Sequence, residues 1–333
     1  MEQNLKNAIL KGVEFLKSGQ LISGEFPSKK WIGDDAHLRV LKDFPPRKSV
    51  FLTSFVLHSL TIMNECEFVE IEKLARQAID FLLEEKEEYG LWRFGGKESE
   101  MPFDIDCTAC ILSALKEWNN INKEWNINLD YEKIATNLLK YQNDKRIFNT
   151  WILDMDSGLS KIWHNDVDWV VNANILNFYT LLNWNLINVK QYLEKIIETE
   201  EFRKNSIYYP SISGIYCFIN AYCVDQINQS DFYSNTIRKY LEKSFKVGGF
   251  ENSLSCALAT ISLVKCNGNT VLIKKLIQNL LRKQRKDGSW EIWCFFNGKY
   301  KINKWGSEEL TTAFVLEALA NYLLIRKENI YHK

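Results

Sequence analysis

Six times along this chain a segment with one polar and one apolar face is followed by a segment that is apolar nearly all round. That alternation constrains the fold more than any other feature of the 333 residues. The spacing predicts helical pairs over 3–18 and 49–64, 70–86 and 105–118, 130–143 and 168–183, 188–200 and 211–225, 234–246 and 252–266, and 271–285 and 308–325. First members such as EKLARQAIDFLLEE keep charge on one side, as a helix with one face in water must. Second members such as VFLTSFVLHSL, TACILSAL and TTAFVLEAL have no polar face and must be buried. Six outer and six inner helices in strict alternation predict an all-α protein, a single (α/α)6 toroid of six helix hairpins. The terminal repeats lack the polar caps that an open solenoid needs. No long period-two run announces a strand. With five Pro, fifteen Gly and no linker-like stretch, residues 1–333 are expected to form one domain.

The inner segments align on one register. Thr53-Ser54-Phe55-Val56-Leu57 matches Thr108-Ala109-Cys110-Ile111-Leu112 and Thr312-Ala313-Phe314-Val315-Leu316, with Asn172-Ala173-Asn174 and Ser255-Cys256-Ala257 in the same frame. Four residues before that position stand Ser49, Asp104, Asp168, Glu251 and Glu308, the expected helix caps. Two residues before it stand Phe51, Asp106, Val170, Ser253 and Leu310. Asp106 is the one acid in that set. In a toroid these inner N-termini crowd one mouth of the barrel, where their free N–H groups favour anions and acceptors.

The segment Asp104-Ile105-Asp106-Cys107-Thr108-Ala109 resembles the acid motif of class II terpene cyclases. Squalene–hopene cyclases carry Asp-x-Asp-Asp-Thr-Ala there, and oxidosqualene cyclases carry Asp-Cys-Thr-Ala. Gln284-Arg285-Lys286-Asp287-Gly288-Ser289-Trp290 resembles the glutamine–tryptophan repeat of the same superfamily, with Gly90-Leu91-Trp92 and Gly249-Phe250 as degenerate copies. Full-size cyclases of that class have two barrels, whereas this chain has material for one; single cyclase-like barrels occur among drimane-type sesquiterpene cyclases.

The resemblance implies a proton-initiated cyclase acting on a linear isoprenoid: a prenyl diphosphate, a polyprene or an epoxide. Asp106 would be the general acid, supported by Asp104, Cys107 and Thr108. A lone buried carboxyl is a poor acid, so the chemistry needs neighbours that orient its proton and stabilise the carboxylate left behind. Aromatic faces would stabilise the cations. The expected substrate-binding residues are Trp31, Phe51, Trp163, Asp168, Trp169, Asn172, Tyr216 and Trp305. No cofactor is implied, with Mg²⁺ entering only if the substrate is a diphosphate.

Other chemistries fit less well. Cys107-Thr108-Ala109-Cys110 has Cys-x-x-Cys spacing without the preceding strand of a thioredoxin-like site. Zinc, as in protein prenyltransferases, would have to draw on His37, His58, His164 and His332, of which only His164, near Asp166 and Asp168, has suitable company. A sugar-active toroid would pair Asp106 with Asp168 or Glu309. A non-catalytic toroid binding a lipid or a protein is the remaining alternative. Forty-two basic residues balance forty-two acidic ones, which gives no electrostatic case for nucleic acid. The N-terminus lacks a signal-peptide core and no stretch reaches a transmembrane length, so the expected compartment is cytoplasmic, with the eight Cys reduced and at most peripheral membrane contact.

Overall fold

Twelve α-helices carry the architecture of the computed structural model, which describes residues 2–32, 47–125, 127–153, 165–224, 231–247, 249–250, 252–298 and 300–331. The odd-numbered helices are α1 (Glu2–Gly19), α3 (Glu72–Glu84), α5 (Tyr131–Leu138), α7 (Ile187–Glu198), α9 (Asp231–Val247) and α11 (Thr270–Lys283). The even-numbered ones are α2 (Val50–Asn64), α4 (Ile105–Ile121), α6 (Trp169–Leu181), α8 (Ser211–Val224), α10 (Ser253–Lys265) and α12 (Glu308–Tyr331). In α11 only Ile273, Leu276, Ile277 and Leu280 are buried, a single stripe at i, i+3, i+4, i+7. In α6 every residue from Trp169 to Tyr179 is buried.

The even helices form a closed ring: α2 packs on α4, α4 on α6, α6 on α8, α8 on α10, α10 on α12 and α12 back on α2. The odd helices surround it. Of these, α3 lies against α2, α7 against α6 and α11 against α10, while α9 lies against α10 and α7, and α1 closes on α12. The chain is therefore an all-α toroid whose ends meet. Among the described residues no helix is long and apolar enough to cross a membrane.

The inner-helix caps follow the sequence register with two shifts. Ser49, Asp104 and Asp168 accept backbone N–H bonds from the first turns of α2, α4 and α6. In α10 the cap is Asn252, whose Oδ1 accepts from Ser255 N at 2.8 Å; Glu251 lies outside the described residues. In α12 the cap is Ser307, accepting from Leu310 N at 3.0 Å. Glu308, expected in that role, instead pairs with Lys29 at 2.6 Å and Arg285 at 3.4 Å.

The shared Thr/Asn position has one structural job. Thr53, Thr108 and Thr312 accept the backbone N–H of Phe26, Trp92 and Trp290 at 3.0, 3.2 and 3.2 Å, and Asn172 Oδ1 accepts that of Phe148 at 2.9 Å. Each bond hangs an aromatic of the connecting turn on an inner helix. The indoles of Trp92 and Trp290 donate to the C-terminal carbonyls of Leu82 and Leu280, both at 2.8 Å. Gln284 Nε2 ties Ala8 O (2.9 Å) to Gly288 O (3.0 Å), and Gln20 does the same for Leu74 O and Gly24 O. Gln20-Gly24-Phe26 thus has the spacing of Gln284-Gly288-Trp290. Both glycines sit at positive φ, and a Cβ on Gly24 would stand 2.1 Å from Gln77 O.

Short ribbons complete the fold. β1 (Lys29–Ile32), β4 (Phe296–Asn297) and β5 (Asn303–Gly306) form an antiparallel sheet in the order β1-β5-β4, and β2 (Phe103–Asp104) pairs with β3 (Trp151–Ile152). Strands of two to four residues are too short for alternation to show in a sequence. They nonetheless shape the mouth of the toroid.

Candidate active site

The segments leading into α2, α4, α6, α8 and α12 enclose a cavity of about 500 Å³ at the inner-helix N-termini. That volume is ordinary for a small-molecule site. Its wall is largely aromatic. Phe51 meets Phe296 edge to face at 5.1 Å, Phe94 meets Trp305 the same way at 5.2 Å, and Phe296 stacks on Trp305 at 6.0 Å with planes 5° apart.

Asp104 and Asp106 face this cavity from the start of α4, both buried to within 6% of full burial. Their surroundings differ. Asp104 caps α4: Oδ1 accepts from the backbone N–H of Asp106 at 2.8 Å and of Cys107 at 3.3 Å, and Oδ2 accepts from the Cys107 thiol at 3.1 Å. Asp106 has no backbone donor. Its Oδ1 accepts from Asn174 Nδ2 on α6 at 2.8 Å, and its Oδ2 is bonded by the Tyr209 hydroxyl. Cys110, one turn along α4, brings its Sγ to 4.0 Å from Oδ1.

Burial disfavours charge on both carboxyls. For Asp104 burial is opposed by the thiol and the two N–H groups, which hold it to about 6. Asp106 is pushed up to about 8, by burial first and then by the charge of Asp104, against the bonds from Asn174 and Tyr209. The donors around Asp104 favour charge there, and burial beside that charge favours the neutral form of Asp106. The result is a carboxyl favoured in its protonated form at the inner end of an aromatic cavity, with two neutral groups positioned to stabilise its conjugate base.

A second polar strand lines the wall. Asp166 Oδ2 accepts from the Tyr208 hydroxyl at 2.8 Å, and Tyr208 in turn accepts from the Trp151 indole at 3.0 Å. Asp168 is not on the cavity. It caps α6 through Val170 N (2.7 Å) and holds the Tyr208 backbone N–H at 3.0 Å, so it anchors the loop that delivers Tyr209 to Asp106. Burial raises its carboxyl above the usual range.

Among the residues expected from sequence, the cavity takes in Asp104, Asp106, Phe51 and Trp305. Cys107 turns its thiol to Asp104, not to Asp106. Thr108 and Asn172 face outward to the turns of Trp92 and Phe148. Trp169 packs against Gly214, Trp31 lies buried against Gly306, and Tyr216 donates to the fully buried Glu317 at 3.1 Å; none of the three reaches the cavity. Trp163, His37, His164 and His332 lie outside the described residues. His58 is buried against Glu117, Nδ1 to Oε2 2.6 Å. Burial lowers its basicity, and the neighbouring Glu117 and Glu317 carboxylates outweigh that and raise it. Among the described residues no group of three His, Cys, Asp or Glu is arranged to hold a metal ion.

Of the two direct partners of Asp106, Asn174 lies in an aligned segment but off its shared Thr/Asn position, and Tyr209 lies outside the aligned segments. Asn174 is two residues beyond Asn172, and on a helix that separation puts the two amides on different faces. Only the one on the axial face reaches Asp106. Tyr209 precedes Pro210, two residues ahead of α8, whereas Asp104 immediately precedes α4 and Asp106 is its second residue.

No protein-family profile and no curated protein matches the sequence. Solved structures match along nearly its whole length. The type II terpene cyclase MstE from Scytonema superposes with a TM-score of 0.73 at 14% identity, covering 96% of this chain and 98% of that one. A variant of the same cyclase in complex with its substrate, geranylgeranyl dihydroxybenzoate, superposes at 0.71 with 13% identity, covering 96% and 97%. An unsaturated glucuronyl hydrolase specific for heparin superposes at 0.65 with 13% identity, covering 98% and 99%. At such identities the likeness establishes the α/α toroid, a fold that terpene cyclases and sugar-active enzymes share.

Proposed function

We propose that this chain is a proton-initiated terpene cyclase, with Asp106 as the general acid. The observation that carries the reading is the setting of Asp106: a carboxyl buried at the inner end of an apolar, aromatic cavity, where burial and the neighbouring Asp104 favour its neutral form. Protonating an alkene requires a carboxylic acid whose conjugate base is stabilised as the proton leaves. Asn174 and Tyr209 aim two donors at the two oxygens where that charge develops. The Asp104 carboxyl, fixed by the α4 backbone, keeps the exchangeable proton on its neighbour. Phe51, Phe94, Phe296 and Trp305 then offer π faces to the cationic intermediates. The proton given to the alkene is matched by one lost from the final carbocation, so the reaction is an isomerisation.

Asp166 is the observation that favours a sugar-active reading, since it adds a third carboxyl to the wall. Hydrolysis of a glycosidic bond requires one member of a carboxyl pair to be ionised as base or nucleophile, and the polar edges of a sugar need donors and acceptors along the wall. The aromatic lining suits a hydrocarbon chain better.

The test is incubation of the purified protein with farnesyl and geranylgeranyl diphosphates, a geranylgeranylated benzoate, squalene and oxidosqualene, followed by extraction and mass analysis. A cyclic product isomeric with one of them, carrying one solvent deuterium in D₂O, is the expected result. No product from any isoprenoid, with release of sugar from an unsaturated glucuronide, would replace the cyclase reading with the glycan one.

A further inference from the structure

Beneath the acid the axis of the toroid is filled. Phe55, Cys110, Asn174 and Phe314 hold one place in the inner-helix register, two residues past the shared Thr/Asn position. They form a layer one helical turn deeper than Phe51 and Asp106. Asn174 and Cys110 meet the Asp106 carboxyl from this layer, at 2.8 and 4.0 Å. The other side of the layer is aromatic. Phe295, from the segment before β4, sets its ring 4.8 Å from that of Phe55 and 4.9 Å from that of Phe314, and Phe55 lies 5.9 Å from Phe314. Three rings in mutual contact close the barrel there, and all three are buried.

This cluster lies directly behind the cavity wall. Phe295 stands 5.9 Å from Tyr209 and 6.5 Å from Phe296, and Phe55 stands 5.2 Å from Phe51; those three partners line the cavity. On the far side Phe314 meets Tyr216 at 5.0 Å. Phe55, Cys110 and Asn174 also border a second void, of about 30 Å³, which His58, Ser113 and Asn177 share. The layer thus divides an apolar cavity from a polar pocket, and the acid stands at the division. Rings packed at the density of an organic crystal do not yield to a flexible hydrocarbon. The end of an isoprenoid chain that enters the cavity comes to rest on this floor, with the alkene nearest that end beside Asp106.

We propose that Phe295, with Phe55 and Phe314, is the depth stop of the site: it selects which alkene of the chain receives the proton, and so how many rings form. Asp106 gives its proton to the less substituted carbon of that alkene. The next alkene closes a ring on the tertiary cation, and the proton lost from the last cation balances the one gained. Phe295 acts by position alone, because Tyr209 and Phe296 stand between it and the cavity. This deepens the cyclase reading and rests on it.

Phe295→Ala takes away a whole ring, room enough for one isoprene unit. The leading unit should then pass the acid, so that the second alkene is protonated and the leading isopropylidene group survives in the product. Phe295→Leu/Phe314→Leu frees about the same space while keeping apolar side chains at both places, so it should give the same product with less loss of packing. Wild type and variants are incubated in D₂O with farnesyl diphosphate, geranylgeranyl diphosphate and a geranylgeranylated benzoate, and NMR locates the deuterium and the isopropylidene methyls. Wild type should give a product without that group, with deuterium in the unit that ended the chain. In the variants most of the product should keep the group and carry its deuterium one isoprene unit further in. Thermal unfolding shows which variants are folded at the assay temperature. A folded variant that makes only the wild-type product overturns the depth stop and leaves the cyclase reading standing. So does a wild-type product that already retains the leading isopropylidene group. A wild-type protein inert toward every isoprenoid removes the cyclase reading and this inference with it.

Discussion

Asp106→Asn separates the acid from its structural surroundings. The amide keeps the size of the protonated carboxyl: its oxygen can accept from Asn174 Nδ2 as Oδ1 does, and its NH₂ can donate to the Tyr209 oxygen. Burial and the charge of Asp104 raise the wild-type carboxyl well above the usual range, so its neutral form persists far above the pH at which a free Asp ionises. Below about pH 4, where Asp106 is neutral in both the folded and the unfolded chain, replacing one neutral hydrogen-bonded group by another should change stability by no more than about 1 kcal/mol. The pH dependence should change more. An unfolded Asp releases its proton near ~4, whereas the folded one retains it to about 8. The folded state therefore binds the extra proton across that window, and wild-type stability falls as pH rises through it. The variant lacks this slope and should be more stable than wild type at pH 9. Activity should drop ~10²–10⁴-fold, the usual effect of losing a general acid. Denaturant unfolding of both proteins at pH 5, 7 and 9, beside product formation, reads all three quantities. A variant that turns over normally, or one that is destabilised at pH 7 with no gain at pH 9, would refute the assignment of a protonated Asp106.

Tyr209→Phe removes the donor on Oδ2, so Asp106 should rise further, the high-pH limb of activity should move up, and the maximum rate should fall by ~10-fold or more. A pH–rate profile checks it, and an unshifted limb would show that the hydroxyl does not act on Asp106. Thr108→Val unmakes the bond to Trp92 N and should cost about 1–3 kcal/mol of stability, with the rate per folded molecule unchanged. A fall in rate at constant folded fraction would give Thr108 a role beyond hanging the turn.

Periodicity made the toroid legible. The twelve helices begin within three residues of the apolar pattern, and all but α5 and α12 end within three of it, because a stripe on α11 and its lack on α6 report burial directly. The acid pair was legible as well, since Asp106 stands at a register position that the other four aligned inner helices fill without acids. Aromatic content was a poor guide to the cavity wall: Trp31, Trp169 and Tyr216 are as aromatic as Phe51 and Trp305, and a one-dimensional pattern assigns no inner residue to void or to core.

What the sequence alone determined, then, is which helix faces are buried, which caps start α2, α4 and α6, and which acid stands out. Only the tertiary structure decided what that acid touches. Asn174 lies 68 positions and Tyr209 103 positions from Asp106, each brought to it by closure of the ring. The same closure brings β1 against β5, setting Lys30 opposite Trp305 at the mouth. Contacts between distant segments follow from how inner helices rotate about their axes as they pack, and a rotation of 100° per residue separates Asn174, which reaches the acid, from Asn172, which holds a turn.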